Sequence, residues 1–166
     1  ANDSAGPWHQ GERALQARLG VAEQMKDVGS RVIRDYMPDQ HRTFYAQVPF
    51  LVLAAVDAAG DPWVTLVESK QAATPVATSP DPTHLDIIAL PAVDDPVRDA
   101  LEIGDSIGVL GIELPTRRRN RVNGKIVQRS ASQLSLEVEH SFGNCPQYIQ
   151  VRHATTADDS SATDEK

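Results

Sequence analysis

"FLVLAAVDAAGDPWVTLVES", Phe50 to Ser69, is the stretch whose reading decides the fold. Phe50 to Asp57 is a continuous apolar run, Pro62 to Ser69 is rich in aromatic and β-branched residues, and Ala-Ala-Gly-Asp between them is turn chemistry. Two such runs joined by a short turn predict an antiparallel hairpin. Downstream, "HLDIIAL" (His84 to Leu90) reads as a third strand and "DSIGVLGIE" (Asp105 to Glu113) as a fourth. "RNRVNGKIVQRS" (Arg119 to Ser130) reads as a fifth. "LSLEVEHS" (Leu134 to Ser141) makes a sixth, in which Leu134, Leu136 and Val138 alternate onto one face. Between the third and fourth strands, "DPVRDALE" (Asp95 to Glu102) has an Asp cap ahead of Pro96 and predicts a short helix. Six short strands in near-continuous succession predict a mainly β fold with flanking helices. The expected architecture is a six-stranded antiparallel barrel, closed or split, and not a series of βαβ units.

Upstream of the hairpin the period changes. Leu15, Leu19, Ala22, Met25, Val28, Val32 and Ile33 recur at three or four residues, which is helical spacing, and Gly20 and Gly29 are expected to break the segment into two or three short helices. "MPDQHRTFYAQ" places Pro38 at the start of a further helix, with Phe44 and Tyr45 near its end. Residues 1–8 have little to bury and read as a loose lead-in. Residues 9–153 form the domain. Residues 154–166, without a large apolar side chain, read as a disordered acidic tail or a linker.

The 166 residues are enough to bury a core, and 40% hydrophobic with 23% charged content is ordinary for a soluble globular chain. No apolar run approaches the ~18 residues of a membrane span. One cysteine cannot form an intrachain disulfide, and Ala1 is not followed by a basic and then an apolar region, so the expected setting is the cytoplasm. A chain opening without Met is either processed or part of something longer. A net charge of −7 disfavours general nucleic-acid binding. The local exception is the basic island Arg117, Arg118, Arg119 and Arg121, and no aromatic lies between Glu113 and His140 to stack bases beside it. His9, His41, His84, His140 and His153 have no metal-ligand spacing, so no metal is expected.

The succession "WHQGERALQ", "RDYMPDQHRTFY", "PFLVLAAVDAAGDPWVT", "GVLGIELPTRRRNRVNG" and "SFGNCPQYIQVR" resembles the flavin-nucleotide-binding proteins related to pyridoxamine 5′-phosphate oxidase, over about His9 to Arg152. RRRNRVNG and SFGNCPQYIQ are its most specific pieces. The resemblance implies an FMN-binding split barrel working as a homodimer, with two flavin sites at the subunit interface. It implies a flavin contact at Arg119, ring-edge and phosphate contacts at Thr65, Ser69 and Lys70, and a contact at Asn144 in the turn after the sixth strand. Relatives commonly carry a Gly-x-Pro-Gly-Phe turn after the second strand, where this chain reads "SKQAATPVATSPDP" (Ser69 to Pro82), without the glycines that let backbone approach a ligand closely.

Residue chemistry adds its own reading. FMN needs a sink for its phosphate charge, polar groups for its pyrimidine edge and an apolar wall for its rings, while the redox chemistry belongs to the cofactor. Arg119 and Arg121, two apart on a strand, point the same way and can clamp a phosphate. A solvated strand edge that discourages edge-to-edge pairing is the bland reading of the same arginines. Trp63 reads as a core or dimer-interface anchor. Cys145, with Tyr148, is expected to pack beneath the Gly143–Asn144 turn as structure and not as a nucleophile. The function implied is an FMN-dependent oxidoreductase, its substrate and catalytic residues undesignated and its electron donor a small molecule or a reductase. A noncatalytic FMN-binding dimeric module, or a partner domain of a reductase, is the other reading.

Overall fold

The computed structural model describes residues 7–69 and 74–153. Three helices precede the sheet: α1 (Gln10–Arg18), α2 (Ala22–Val32) and α3 (Asp39–Tyr45). The strands are β1 (Phe50–Val56), β2 (Pro62–Glu68), β3 (Ala77–Thr78), β4 (His84–Ile87), β5 (Ser106–Glu113), β6 (Arg118–Arg129) and β7 (Leu134–Gly143), with α4 (Pro96–Asp99) between β4 and β5. They form one seven-stranded antiparallel sheet in the order β2-β1-β5-β6-β7-β4-β3. The hairpin Phe50 to Ser69 is present in full register, from Phe50↔Glu68 to Val56↔Pro62. The strand beyond the six expected is β3, whose two residues pair with β4. Two residues are too few to leave a periodic signature in the sequence.

The helix starts follow local chemistry. His9 caps α1: its Nδ1 accepts from the backbone of Gly11 (3.0 Å) and Glu12 (3.3 Å), and Glu12 in return accepts from the His9 N–H (3.0 Å). Gly20, at φ 70, ends that helix. Gly29 does not break α2 as expected. It lies inside the helix and is buried, because a Cβ there would stand 2.6 Å from Nε1 of Trp8. That indole lies against the helix and donates to the Met25 carbonyl at 2.9 Å. Asp95 caps α4 by accepting from the Val97 N–H (2.8 Å), ahead of Pro96, as the sequence predicts.

One face of the sheet carries the core. Leu51, Leu53, Ile107, Val109, Val122, Ile126, Leu134, Leu136, Leu85 and Ile87 are buried on it. Phe44 and Tyr45 of α3 and Val97 of α4 close over the same core. The opposite face is different. Reading across the ladder, Leu66, Val52, Leu110, Arg121 and Phe142 are successive partners in one row over five strands. Leu66 is 54% exposed and Val64, on the same strand and face, 66%. Leu66, Val52, Leu110 and Phe142 thus leave a partly exposed apolar row on that face, interrupted by Arg121.

Trp63 is not a core residue. It is 41% exposed, and its indole N–H donates to the Asp57 carboxylate at 2.8 Å. The hydrogen bond from Trp63 is also the first cause holding the Asp57 pKa below the usual carboxylate range.

Candidate functional site

Alternation on β6 sends Asn120, Val122, Gly124 and Ile126 into the core and puts Arg119 and Arg121 on the outer face, as their spacing predicts. Their guanidinium groups then diverge. Arg119 turns to the end of β7: one terminal nitrogen donates to the Cys145 carbonyl (3.0 Å), and the Asn144 N–H donates back to the Arg119 carbonyl (2.7 Å). Arg121 lies over the Phe142 ring, 5.9 Å from its centroid.

Arg119 and Asn144 meet in a recess of about 310 Å³. Residues 116–120 form one side of it, Gly143, Asn144 and Pro146 another, and Gln40 and His41 of α3 a third. Two side-chain atoms in this recess are buried and have no hydrogen-bond partner among the described residues: Nε of Arg119, a donor, and Oδ1 of Asn144, an acceptor. A buried polar atom left unpaired costs about 1–3 kcal/mol. A ligand edge that offers an acceptor beside a donor removes that cost, and the pyrimidine edge of a flavin is such an edge. The two atoms match, in kind, the donor and acceptor that the edge of a flavin ring requires.

The other site residues implied by the resemblance lie elsewhere. Thr65 points to the core side and donates to the Asp95 carboxylate (2.5 Å), tying β2 to the cap of α4. Ser69 lines a separate groove of about 750 Å³ with residues 88–93 and Arg98. Lys70 lies outside the described residues, as do 1–6 and the tail 154–166. The structure thus brings Arg119 and Asn144 together, while Arg121, Thr65 and Ser69 stand apart from that pair within one chain.

Nothing in the spacing of the histidines singles out His41. It reaches the recess because the chain between α2 and α3 is stitched to β7 by two backbone bonds, Arg34 N–H to the Ser141 carbonyl (3.1 Å) and Ser141 N–H to the Arg34 carbonyl (2.7 Å). His41 Nδ1 then shares a hydrogen bond of 2.9 Å with the hydroxyl of Ser141, a fully buried residue 100 positions away. Burial first, then the charges of Arg34 and Arg118, hold the imidazole pKa below its usual value. Arg118 packs its guanidinium 5.2 Å from the Phe44 centroid and pairs with Glu113 at 3.7 Å, so it does not merely meet water.

Cys145 and Tyr148 depart from expectation. Cys145 is exposed, and Tyr148 is 92% exposed with φ 71. Neither packs beneath the Gly143–Asn144 turn, because the Cys145 carbonyl, and not its side chain, is what the site engages. Cys145→Ser should therefore change stability by no more than about 0.5 kcal/mol in urea unfolding, the range of ordinary surface substitutions. A larger loss would place the thiol in a packed contact.

No family model matches the chain, and no curated protein matches it. Solved structures do. A protein from Lactobacillus delbrueckii, provisionally assigned as a pyridoxamine 5′-phosphate oxidase, superposes at a TM-score of 0.50 with 16% identity, over 66% of this chain and 95% of that one. HupZ from Group A Streptococcus superposes at 0.50 with 12% identity, over 72% and 99%. The FAD and heme binding protein from Mycobacterium smegmatis is more distant, at 0.39 with 12% identity over 69% of each chain. The first two likenesses show the fold: this chain has the split-barrel architecture of pyridoxamine 5′-phosphate oxidase-like proteins.

Proposed function

We propose that the protein is an FMN-binding flavoprotein of the oxidoreductase type, working as a homodimer whose interface is the outer face of the sheet. The observation that carries the flavin reading is the unpaired donor and acceptor, Arg119 Nε and Asn144 Oδ1, both buried and both on residues that line one recess of a split barrel. When bound, the flavin supplies the redox step; the chain's residues bind and orient it. Arg119 and Asn144 hold the ring edge, and Arg121, on the same face of β6, supplies permanent positive charge for the phosphate.

The dimer follows from size and surface. A recess of about 310 Å³ is at the lower end of the range of roughly 300–1,000 Å³ for drug-sized ligands, so one chain covers only part of a flavin nucleotide. The uncovered row from Leu66 to Phe142 runs to Arg121, and a two-fold axis on that face would bury it against its own copy and bring a second set of side chains to the site. Small-molecule substrate and electron donor then approach from the free side.

The test is the visible spectrum of freshly purified protein, with the released chromophore identified by mass and the particle sized by sedimentation at micromolar concentration. The expected result is FMN at one per chain in a particle of two chains. A chain that neither retains nor binds FMN overturns the flavin reading, and a monomer with FMN bound overturns the dimer.

A further inference from the structure

We propose that the recess also holds an anion of its own, taking the carboxylate or phosphate of a small substrate on Arg117, Arg118 and Nε2 of His41. Three consecutive arginines line it, and none of the described residues that line it is acidic, in a chain whose net charge is −7. That concentration of one sign in a concave place raises the local concentration of anions. Glu113, the carboxylate on the same hairpin, is already engaged by Arg118 and by the Thr116 hydroxyl. Arg117, held at φ 59 in the turn before β6, has no hydrogen bond or ion pair among the described residues and is free to meet a ligand.

His41 gives the site a proton-linked response. Its Nδ1 is committed to Ser141, which leaves Nε2 as the nitrogen available to a ligand. The charges acting on it are Arg34, from the segment before α3, and Arg118, from the β5–β6 hairpin, where it pairs with Glu113; Arg117 and Arg119 line the same recess, and Arg42 and Asp39 on its own helix pair with each other at 3.1 Å. Burial first, and then positive charge, disfavours the imidazolium; a bound anion offsets the charge part and makes protonation of His41 easier than in the free state. The free-state pKa lies below the ordinary 6.5 and the bound-state value above the free one. Anion affinity therefore rises as pH falls from the bound-state value and levels off below the free-state value.

The anion site stands without the flavin reading, and its test separates the two. The full chain, stripped of cofactor, is titrated with sulfate, which does not change its own charge between about pH 5 and 8. Calorimetry in two buffers of different ionisation heat reads the protons taken up. The expected result is sulfate binding with a fractional proton uptake that grows as the pH falls below the bound-state pKa of His41 and fades below the free-state one. His41→Asn, which keeps an amide for Ser141, should abolish the uptake. Arg117→Gln, at an exposed turn that leaves the fold intact, should weaken sulfate roughly tenfold. FMN and riboflavin are then added as competitors, because the anion could be the cofactor's own phosphate. Sulfate retained against both supports a separate substrate site; displacement by FMN but not by riboflavin makes the recess the phosphate site of the cofactor and overturns the proposal. Absence of sulfate binding, or uptake that persists in His41→Asn, overturns it whatever the flavin titrations give.

Discussion

Replacing Arg119 and Arg121 together with alanine should weaken FMN binding by about 3–6 kcal/mol, because each charge-assisted hydrogen bond contributes about 1.5–3. Riboflavin, without the phosphate, should lose less, since only the ring-edge donor at Arg119 is removed for it. The structure sharpens the control. Arg118 packs on Phe44 and pairs with Glu113, so changing it disturbs α3, and Arg117 lines the recess; Lys125, exposed on the same strand and outside the recess, is the test of general basicity. Titration of the double variant and of Lys125→Ala with both ligands, at two salt concentrations, checks the expectation. Equal losses for FMN and riboflavin would assign the two arginines to the barrel or the dimer. An unchanged FMN affinity would remove them from the site.

Gly124→Ala should destabilise the fold by about 3 kcal/mol or more, the upper end of what overpacking costs. A Cβ at Gly124 would stand 2.0 Å from the Glu137 carbonyl oxygen, backbone of the partner strand that no rotamer change can move. The contact sits where the β6–β7 register shifts between Asn123 and Gly124, so the glycine lets the two strands approach through the bulge. At 2–4 °C per kcal/mol for a chain of this size, the midpoint should fall by roughly 6–12 °C. Gly108→Ala is the matched control: it lies on the neighbouring strand, where the nearest atom to a new Cβ is 3.5 Å away, an ordinary contact. Thermal unfolding of both variants decides the matter, and similar midpoints for the two would mean that the β6–β7 pair relaxes freely around the bulge.

The fold was legible because its signals are local. A run of apolar and β-branched residues, a Gly-Asp turn and a second such run specify the β1–β2 hairpin without reference to anything distant, and period-two alternation does the same for β7. Asp before Pro placed the start of α4, since a cap needs only its own first turn. Where a local rule failed, a distant contact had overridden it. Gly29 reads as a helix break, yet it sits inside α2 because the Trp8 indole occupies the space of a side chain. Cys145 and Tyr148 read as buried beneath a turn, yet both are exposed, and what holds the segment is the bond from Arg119, 26 residues away, to the Cys145 carbonyl.

The site divides in the same way. Arg119 and Arg121 on one face, and Asn144 beside a turn, follow from strand period and turn chemistry in the sequence alone. That Arg119 and Asn144 share one recess with two unpaired atoms, while Thr65 is taken by Asp95 and Ser69 lies in another groove, depends on strand register and side-chain direction, which no spacing specifies. His41 is the clearest case. Sequence separates it from Ser141 by 100 residues, and only the backbone pair between Arg34 and Ser141 carries α3 to the end of β7 and sets an imidazole among arginines. Periodicity acts between near neighbours, so the sequence by itself determined the strands, their faces and the charge of the hairpin. Convergence of distant side chains is a property of the assembled sheet and the helices packed on it, and only the tertiary structure decided it.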